Sequence, residues 1–125
     1  MYGESAVDVL VVDDDEDVRT SVAEILRRAD HTVAEAENGA VALSCLEDMD
    51  VAVLVVDVRM PRLDGLSLLQ ALEHPPPTVL ISAYFVDDDV RQSLGPKVAA
   101  YLRKPFRPEH LLAAVHVALE SRDAI

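Results

Sequence analysis

The stretch Val51–Asp57, which reads VAVLVVD, is the strongest indication of how this chain folds. Six apolar residues follow one another without a polar break, and the stretch then ends on a carboxylate. Valine dominates the run and favours a strand, and a continuous apolar run is typical of a strand that is covered on both faces, as in a parallel sheet. Ligands of open α/β sheets bind beyond the carboxyl ends of the strands, so Asp57 is predicted to lie where the chemistry occurs.

A second apolar run, Val7–Val12, ends in the same way, on the consecutive aspartates Asp13, Asp14 and Asp15. Carboxyl ends of neighbouring parallel strands lie at one edge of the sheet. Two strands that each deliver carboxylates to that edge would form an acidic pocket, and we expect the function to be located there.

Apolar segments and amphipathic segments alternate along the rest of the chain, separated by glycine and proline. The predicted strands are Val7–Val12, His31–Ala36, Val51–Val56, Thr78–Ser82 and Ala99–Arg103. The predicted helices are Asp17–Ala29, Ala40–Leu46, Leu66–Leu72, Asp87–Leu94 and Pro108–Ser121, the last one burying Leu111, Leu112, Val115 and Leu119. This alternation predicts one three-layer, doubly wound α/β domain over residues 1–125, with a five-stranded parallel sheet between helices and loose ends at 1–5 and 122–125.

Composition limits the function classes. With 125 residues the chain suits a single domain, and its formal charge of −12 argues against binding nucleic acid through phosphate contacts while permitting a cation site. The single Cys45 excludes an internal disulfide and a zinc motif. No apolar run reaches the roughly 18 residues of a membrane span, and the N-terminus lacks a signal-peptide pattern. We therefore expect a soluble, cytoplasmic protein that does not enter a membrane.

Two further strand ends contribute polar groups to the predicted pocket, Ser82 after the fourth strand and Lys104 after the fifth. Clustered carboxylates repel one another, and all-oxygen ligands without His or Cys indicate Mg²⁺, with Mn²⁺ as a second candidate. Asp57 can act as a nucleophile that forms an aspartyl phosphate. A cation, Lys104 and Ser82 would then neutralise the phosphoryl oxygens.

Four motifs resemble those of the receiver domains of two-component response regulators, in order and at suitable spacing. They are VLVVDDDEDVR, LVVDVRMPRLDG, LISAY and YLRKPF, and together they cover nearly the whole chain. The resemblance implies a flavodoxin-like (βα)5 fold with the strand order 2-1-3-4-5. It also implies that Asp57 accepts a phosphoryl group from a phosphohistidine on a sensor histidine kinase or a histidine phosphotransfer protein.

The resemblance assigns roles to the remaining pocket residues. Asp13 and Asp14 would hold Mg²⁺ together with Asp57 and the backbone carbonyl of Arg59. Lys104 would contact the phosphoryl group, and its bond to the following proline, Pro105, would be cis.

Signal transmission is also implied by the resemblance. Ser82 would move toward the phosphate and the switch residue Tyr101 would turn inward, which changes the face formed by helix 4, strand 5 and helix 5. An output domain or target protein, and a phosphorylation-dependent dimer, are the further partners compatible with this interpretation.

Several positions depart from the family pattern. The triple proline Pro75–Pro77 is expected to shorten the third helix, and Lys97 replaces a glycine that is usual before the fifth strand, which bears on the fourth helix. Arg59 and Tyr84 are bulky at positions that tune the lifetime of the phosphate in the family. We hypothesise that they slow dephosphorylation, in which case alanine at either position shortens the phosphoryl half-life.

One alternative stays open, a degenerate receiver that binds partners without being phosphorylated. The presence of Asp57, the acid pair and Lys104 speaks against it, since those residues are the usual losses in such proteins. In either case we interpret the chain as a signalling domain and not as an enzyme, although it can catalyse part of its own phosphoryl transfer and dephosphorylation.

Overall fold

The sheet has five strands in the computed structural model, which describes residues 6–58, 65–83 and 88–123. The strands are β1 (Ala6–Val12), β2 (Val33–Ala36), β3 (Asp50–Asp57), β4 (Thr78–Ser82) and β5 (Val98–Arg103). Their order is β2-β1-β3-β4-β5, and every neighbouring pair is parallel. The predicted three-layer α/β architecture and its strand order are therefore confirmed.

Helices cover both faces of the sheet, and they are α1 (Glu16–Arg28), α2 (Gly39–Asp48), α3 (Gly65–Ala71), α4 (Asp88–Leu94) and α5 (Pro108–Asp123). Side chains of β3 alternate between two apolar clusters. Val53 and Val55 join the cluster with α1 and α5, whereas Leu54 and Val56 join the cluster with α2, α3 and α4. Because both clusters are buried, the uninterrupted apolar run of β3 follows directly from its central place in the sheet.

The buried stripe of α5 differs in part from the predicted one. Leu111 and Val115 are fully buried as expected, but Leu112 and Leu119 are only partly buried. The smaller Ala114 and Ala118 take the buried positions on α5 instead. Positions 111, 114, 115 and 118 form the centre of one helical stripe, so the two leucines flank it.

Several element boundaries also differ from the predicted ones by one or two residues, among them those of β2 and α5. β2 begins at Val33 instead of His31, because α1 closes through a turn in which Asp30 has a φ of 70° and the His31 N–H donates to the Leu26 carbonyl at 3.1 Å. The helix α5 extends past Ser121 to Asp123, so residues 122 and 123 are helical and not loose.

The departures noted in the sequence have structural counterparts. The third helix is short, as predicted, and ends at Ala71 before the prolines. A 3-10 turn, Gly95–Lys97, follows α4, and Gly95 has a left-handed φ of 54°. The Lys97 Nζ donates to the Leu69 carbonyl of α3 at 3.4 Å, which ties the end of this turn to the last turn of α3.

The register of the strands brings the predicted pocket residues to one edge. Val12 of β1 pairs with Val56 of β3, the next residue Asp57 pairs with Ile81 of β4, and Ser82 pairs with Arg103 of β5. The residues at or just after the ends of four strands therefore lie side by side. Over the parts of the chain that the structure describes, no helix is long and apolar enough to cross a membrane.

Candidate functional site

Three carboxylates meet at the carboxyl ends of β1 and β3. Asp13, Asp14 and Asp57 each place an oxygen within 4.8 Å of the others. Asp13 and Asp57 are buried, whereas Asp14 is exposed. The acidic pocket predicted from the two strand ends is thus present, with one side open to solvent.

Local hydrogen bonds explain why the run of acids after β1 divides into two roles. An oxygen of Asp13, Oδ1, accepts the Asp15 N–H at 2.9 Å, which fixes the carboxylate toward the pocket. Asp15 is the N-cap of α1, and its Oδ1 accepts the N–H groups of Asp17 and Val18 at 3.0 and 3.2 Å. The sequence grouped Asp15 with Asp13 and Asp14 as an acid of the pocket, whereas in the structure Asp15 caps the helix, a role that Asp commonly has directly before a helix.

Lys104 brings a positive charge into the pocket. Its Nζ donates to the Asp57 Oδ2 at 2.9 Å and lies 3.6 Å from the Asp13 Oδ2. The Lys104 N–H also donates to the Ser82 carbonyl at 2.8 Å, which holds the loop after β5 against the end of β4. The peptide bond between Lys104 and Pro105 is cis, the isomer that the resemblance implies.

The pKa values of two pocket groups, Asp13 and Lys104, are both raised, but for different reasons. Burial raises the pKa of Asp13, and the charges of Asp57 and Asp14 raise it further against the lowering effects of the Asp15 N–H and Lys104. Burial alone would lower the pKa of Lys104, but its hydrogen bond to Asp57 and the charges of Asp13 and Asp57 raise it overall. Among the described residues, the three carboxylates of the pocket outnumber the one lysine beside them, so negative charge is in excess there.

The donor set fits a hard divalent cation such as Mg²⁺. Three carboxylate oxygens lie close enough to share one ion, and within the described part of the chain no His or Cys joins them. Magnesium is usually bound by one or two carboxylates together with water and phosphate oxygens, so an open side at Asp14 suits it. Mn²⁺ has similar ligand preferences.

The predicted switch residues lie on adjacent strands. Ser82 is buried at the end of β4. Tyr101 of β5 is partly buried, and the guanidinium of Arg91 from α4 lies 4.2 Å from the centre of its ring, a cation–π contact. Burial raises the pKa of the Tyr101 hydroxyl, while the charge of Arg91 lowers it.

Two predicted site residues, Arg59 and Tyr84, lie outside the described residues. The expected carbonyl ligand of Arg59 and the effect of both side chains on phosphate lifetime stay predictions.

A groove of about 700 Å³ borders the pocket and was not expected from the sequence. Lys104 lines it together with residues of α1 and of the loop after β5, among them Val18, Ser21, Ile25 and Phe106. Its walls are largely apolar, so it offers a partner a contact surface directly beside Lys104.

Known proteins share this sequence pattern. The sequence model of the response regulator receiver domain matches residues 9–116. The transcriptional regulatory protein PrrA of Mycobacterium leprae is 38% identical over 125 residues, which cover 98% of this chain and 54% of PrrA. The transcriptional regulatory protein CpxR of Escherichia coli K12 is 32% identical over 115 residues, which cover 89% of this chain and 48% of CpxR. The chain thus spans about half the length of these curated relatives.

Solved structures of response regulator proteins have a similar fold. The chemotaxis protein CheY4 of Vibrio cholerae has a TM-score of 0.81 and 26% identity, with 91% of this chain and 99% of that chain covered. The receiver domain of the Francisella response regulator 1452 has a TM-score of 0.82 and 28% identity, with 91% and 97% covered. The matched motifs, the strand order and the acidic pocket lead to one conclusion: the chain belongs to the response regulator receiver domains of two-component systems.

Proposed function

We propose that Asp57 accepts a phosphoryl group from a phosphohistidine on a sensor histidine kinase or a histidine phosphotransfer protein, with Mg²⁺ held by Asp13, Asp14, Asp57 and the Arg59 carbonyl. The observation that carries this proposal is the contact of 2.9 Å between the Lys104 Nζ and the Asp57 Oδ2, inside a cluster of three carboxylates. A buried carboxylate that is flanked by a lysine and a cation-binding pair has the groups that phosphoryl transfer requires.

The chemistry follows from the placement of these groups. An oxygen of Asp57 attacks phosphorus, so that a P–O bond forms while the P–N bond to the donor imidazole breaks and its electron pair returns to the nitrogen. When bound, Mg²⁺ neutralises charge on the phosphoryl oxygens. The Lys104 ammonium, already beside Asp57, donates to one of those oxygens, and the Ser82 hydroxyl donates to another.

The response would pass through the neighbouring strands β4 and β5. Movement of Ser82 toward the phosphate frees space that Tyr101 enters, and this changes the face of α4, β5 and α5. Arg91 lies over the Tyr101 ring and so connects the switch to α4. An output domain, a target protein or a second copy of the receiver would recognise that face.

The donor would approach along the groove beside Lys104. In-line transfer requires the donor histidine to reach Asp57 at the open edge of the sheet, and the apolar wall formed by α1 and the loop after β5 continues up to Lys104. We infer that a phosphohistidine-bearing helix packs there, and that the exchange takes place in the cytoplasm.

Intact mass after incubation with acetyl phosphate and Mg²⁺ tests the proposal. We expect a gain of one phosphoryl group that is lost in Asp57→Asn and without Mg²⁺. Asp48→Asn is the matched control, because Asp48 is an exposed acid at the end of α2. If neither acetyl phosphate nor a phosphorylated kinase modifies the chain, the degenerate receiver becomes the better description.

A further inference from the structure

Arg19 connects α1 to the backbone of the acidic pocket. From the helix it reaches back six residues, and its Nη1 donates to the Asp13 carbonyl at 2.9 Å. Its Nε lies 3.4 Å from the Glu35 Oε1 of β2, and the Arg19 side chain is only 15% exposed. One guanidinium thus joins the loop after β1 to the neighbouring strand.

Glu35 is itself held by a second arginine of the same helix. The Arg27 Nη1 lies 3.2 Å from the Glu35 Oε2, and the Arg27 Nη2 donates to the Val33 carbonyl at 3.0 Å. The Glu35 carboxylate therefore lies between two guanidinium groups of α1, which fixes its position relative to that helix.

Both backbone polar groups of Asp13 are hydrogen-bonded. Its N–H donates to the Ala36 carbonyl of β2 at 3.2 Å, and its carbonyl accepts from Arg19. The first hydrogen bond connects Asp13 directly to β2, and the second connects it to β2 through Arg19 and Glu35, which directly precedes Ala36. The backbone that carries the Asp13 carboxylate cannot shift without breaking one of them.

We propose that Arg19, supported by Glu35, is a positioning residue that holds Asp13 in the geometry needed for Mg²⁺. The inference rests on the proposed function, since it concerns loading of the same acidic site. Mutual repulsion favours separation of the three carboxylates, and Mg²⁺ requires near-ideal octahedral geometry. A fixed Asp13 backbone therefore lowers the free energy that assembly of the site would otherwise cost.

The positive charge of Arg19 by itself would weaken Mg²⁺ binding, whereas its proposed positioning role strengthens it. Arg19 is positive and lies close to the cluster, so its removal would by charge alone tighten Mg²⁺ binding. A positioning role predicts weaker binding. The sign of the change in affinity thus distinguishes the two.

Isothermal titration of the full chain with magnesium chloride provides the test. Arg19→Met removes both guanidinium contacts and keeps most of the aliphatic stem. Arg28→Met is the matched control, because Arg28 lies on the same helix, carries the same charge and forms an exposed pair with Glu24. We expect Arg19→Met to raise the Kd for Mg²⁺ roughly tenfold, as removal of groups that orient a metal ligand usually does, and Arg28→Met to leave it unchanged.

Two further variants separate positioning from general stability. Arg19→Gln also removes the guanidinium and its charge, so charge and positioning again predict opposite changes in Kd; this variant decides the question if Arg19→Met does not fold. Arg19→Lys keeps one donor and should recover part of the affinity. Melting temperatures without Mg²⁺ show whether the loss of affinity follows a loss of stability.

An Arg19→Met protein that is folded and binds Mg²⁺ as well as or better than Arg28→Met would overturn the inference and leave the proposed function intact. Failure of the wild-type chain to bind Mg²⁺ would overturn both.

Discussion

The buried Asp13 carboxylate should destabilise the fold when no metal is bound. Its side chain is 4% exposed, and burial is the largest cause of its raised pKa. Asp13→Asn removes the charge while keeping an oxygen that can accept the Asp15 N–H. We expect this substitution to stabilise the metal-free protein at neutral pH.

The expected magnitude follows from terms that largely oppose one another. With an effective dielectric constant of about 20, attraction to the Lys104 Nζ at 3.6 Å is about 5 kcal/mol. Repulsion from the Asp57 oxygen, within 4.8 Å, is about 3 kcal/mol or more. Repulsion from Asp14 adds to this but is weakened by solvent, since Asp14 is exposed. The Coulomb terms nearly cancel, so the cost of burying the charge decides the sign.

We therefore expect Asp13→Asn to raise the free energy of unfolding by about 1 kcal/mol, which lies in the range of stabilising charge changes. For a chain of this size that corresponds to an increase of about 4 °C in Tm. Mg²⁺ at a hundredfold excess over its Kd should stabilise the wild type by about 2.7 kcal/mol if only the native state binds it. Because Asp13→Asn would lose one of the proposed Mg²⁺ ligands, the order of the two proteins should reverse in Mg²⁺.

The pH dependence of the stability difference between Asp13→Asn and the wild type is a second check. An acid with a higher pKa in the native state holds its proton more tightly there, so stability falls as pH rises from its ordinary pKa through the raised native value. The penalty is complete above the native pKa and absent well below the ordinary value of about 4. The advantage of Asp13→Asn should therefore disappear in acid.

Thermal melting followed by circular dichroism, with and without Mg²⁺, measures these differences, with Asp48→Asn as the control for loss of one exposed charge. A metal-free Asp13→Asn protein that is less stable than the wild type at neutral pH would refute the reasoning, because attraction to Lys104 would then outweigh burial. An unchanged response to Mg²⁺ would remove Asp13 from the metal site.

Two further predictions concern Lys104 and the groove. Lys104→Ala should keep the fold but weaken the effect of phosphorylation on the face of α4, β5 and α5, measured as smaller phosphorylation-dependent shifts of the Tyr101 resonances; normal activation would remove Lys104 from the mechanism. Because the pKa of Lys104 is raised, its contribution to stability is fully present below its ordinary pKa of about 10.4 and is lost only as pH rises through the native value. The loss of stability in Lys104→Ala should therefore not vary with pH near neutrality. Ser21→Arg should slow transfer from a phosphorylated kinase about tenfold or more, by placing a long side chain in the groove, and leave acetyl phosphate labelling unchanged. Thr20→Arg, exposed on α1 but not part of the groove lining, is its control; equal kinase rates for both variants would exclude the groove as the donor surface.

Local patterns in the amino-acid sequence were enough to predict the helices, the strands and the main pocket residues. A strand buried on both faces requires an uninterrupted apolar run, and parallel strands place the residues that follow them at one edge of the sheet. Asp13, Asp57, Ser82 and Lys104 could therefore be grouped from their positions in the sequence alone. The order of the strands came only through the family resemblance, since periodicity carries no information about which strands are neighbours.

Which side chains touch one another depends on the tertiary structure. The contact between Lys104 and Asp57 joins residues 47 positions apart, and that between Arg19 and Glu35 depends on α1 crossing beside β2. The cation–π contact of Arg91 with Tyr101 likewise requires α4 to pack over β5. Such contacts depend on strand order, on the angle of each helix and on side-chain direction, and these are set by packing of the whole core rather than by the spacing of residues along the chain.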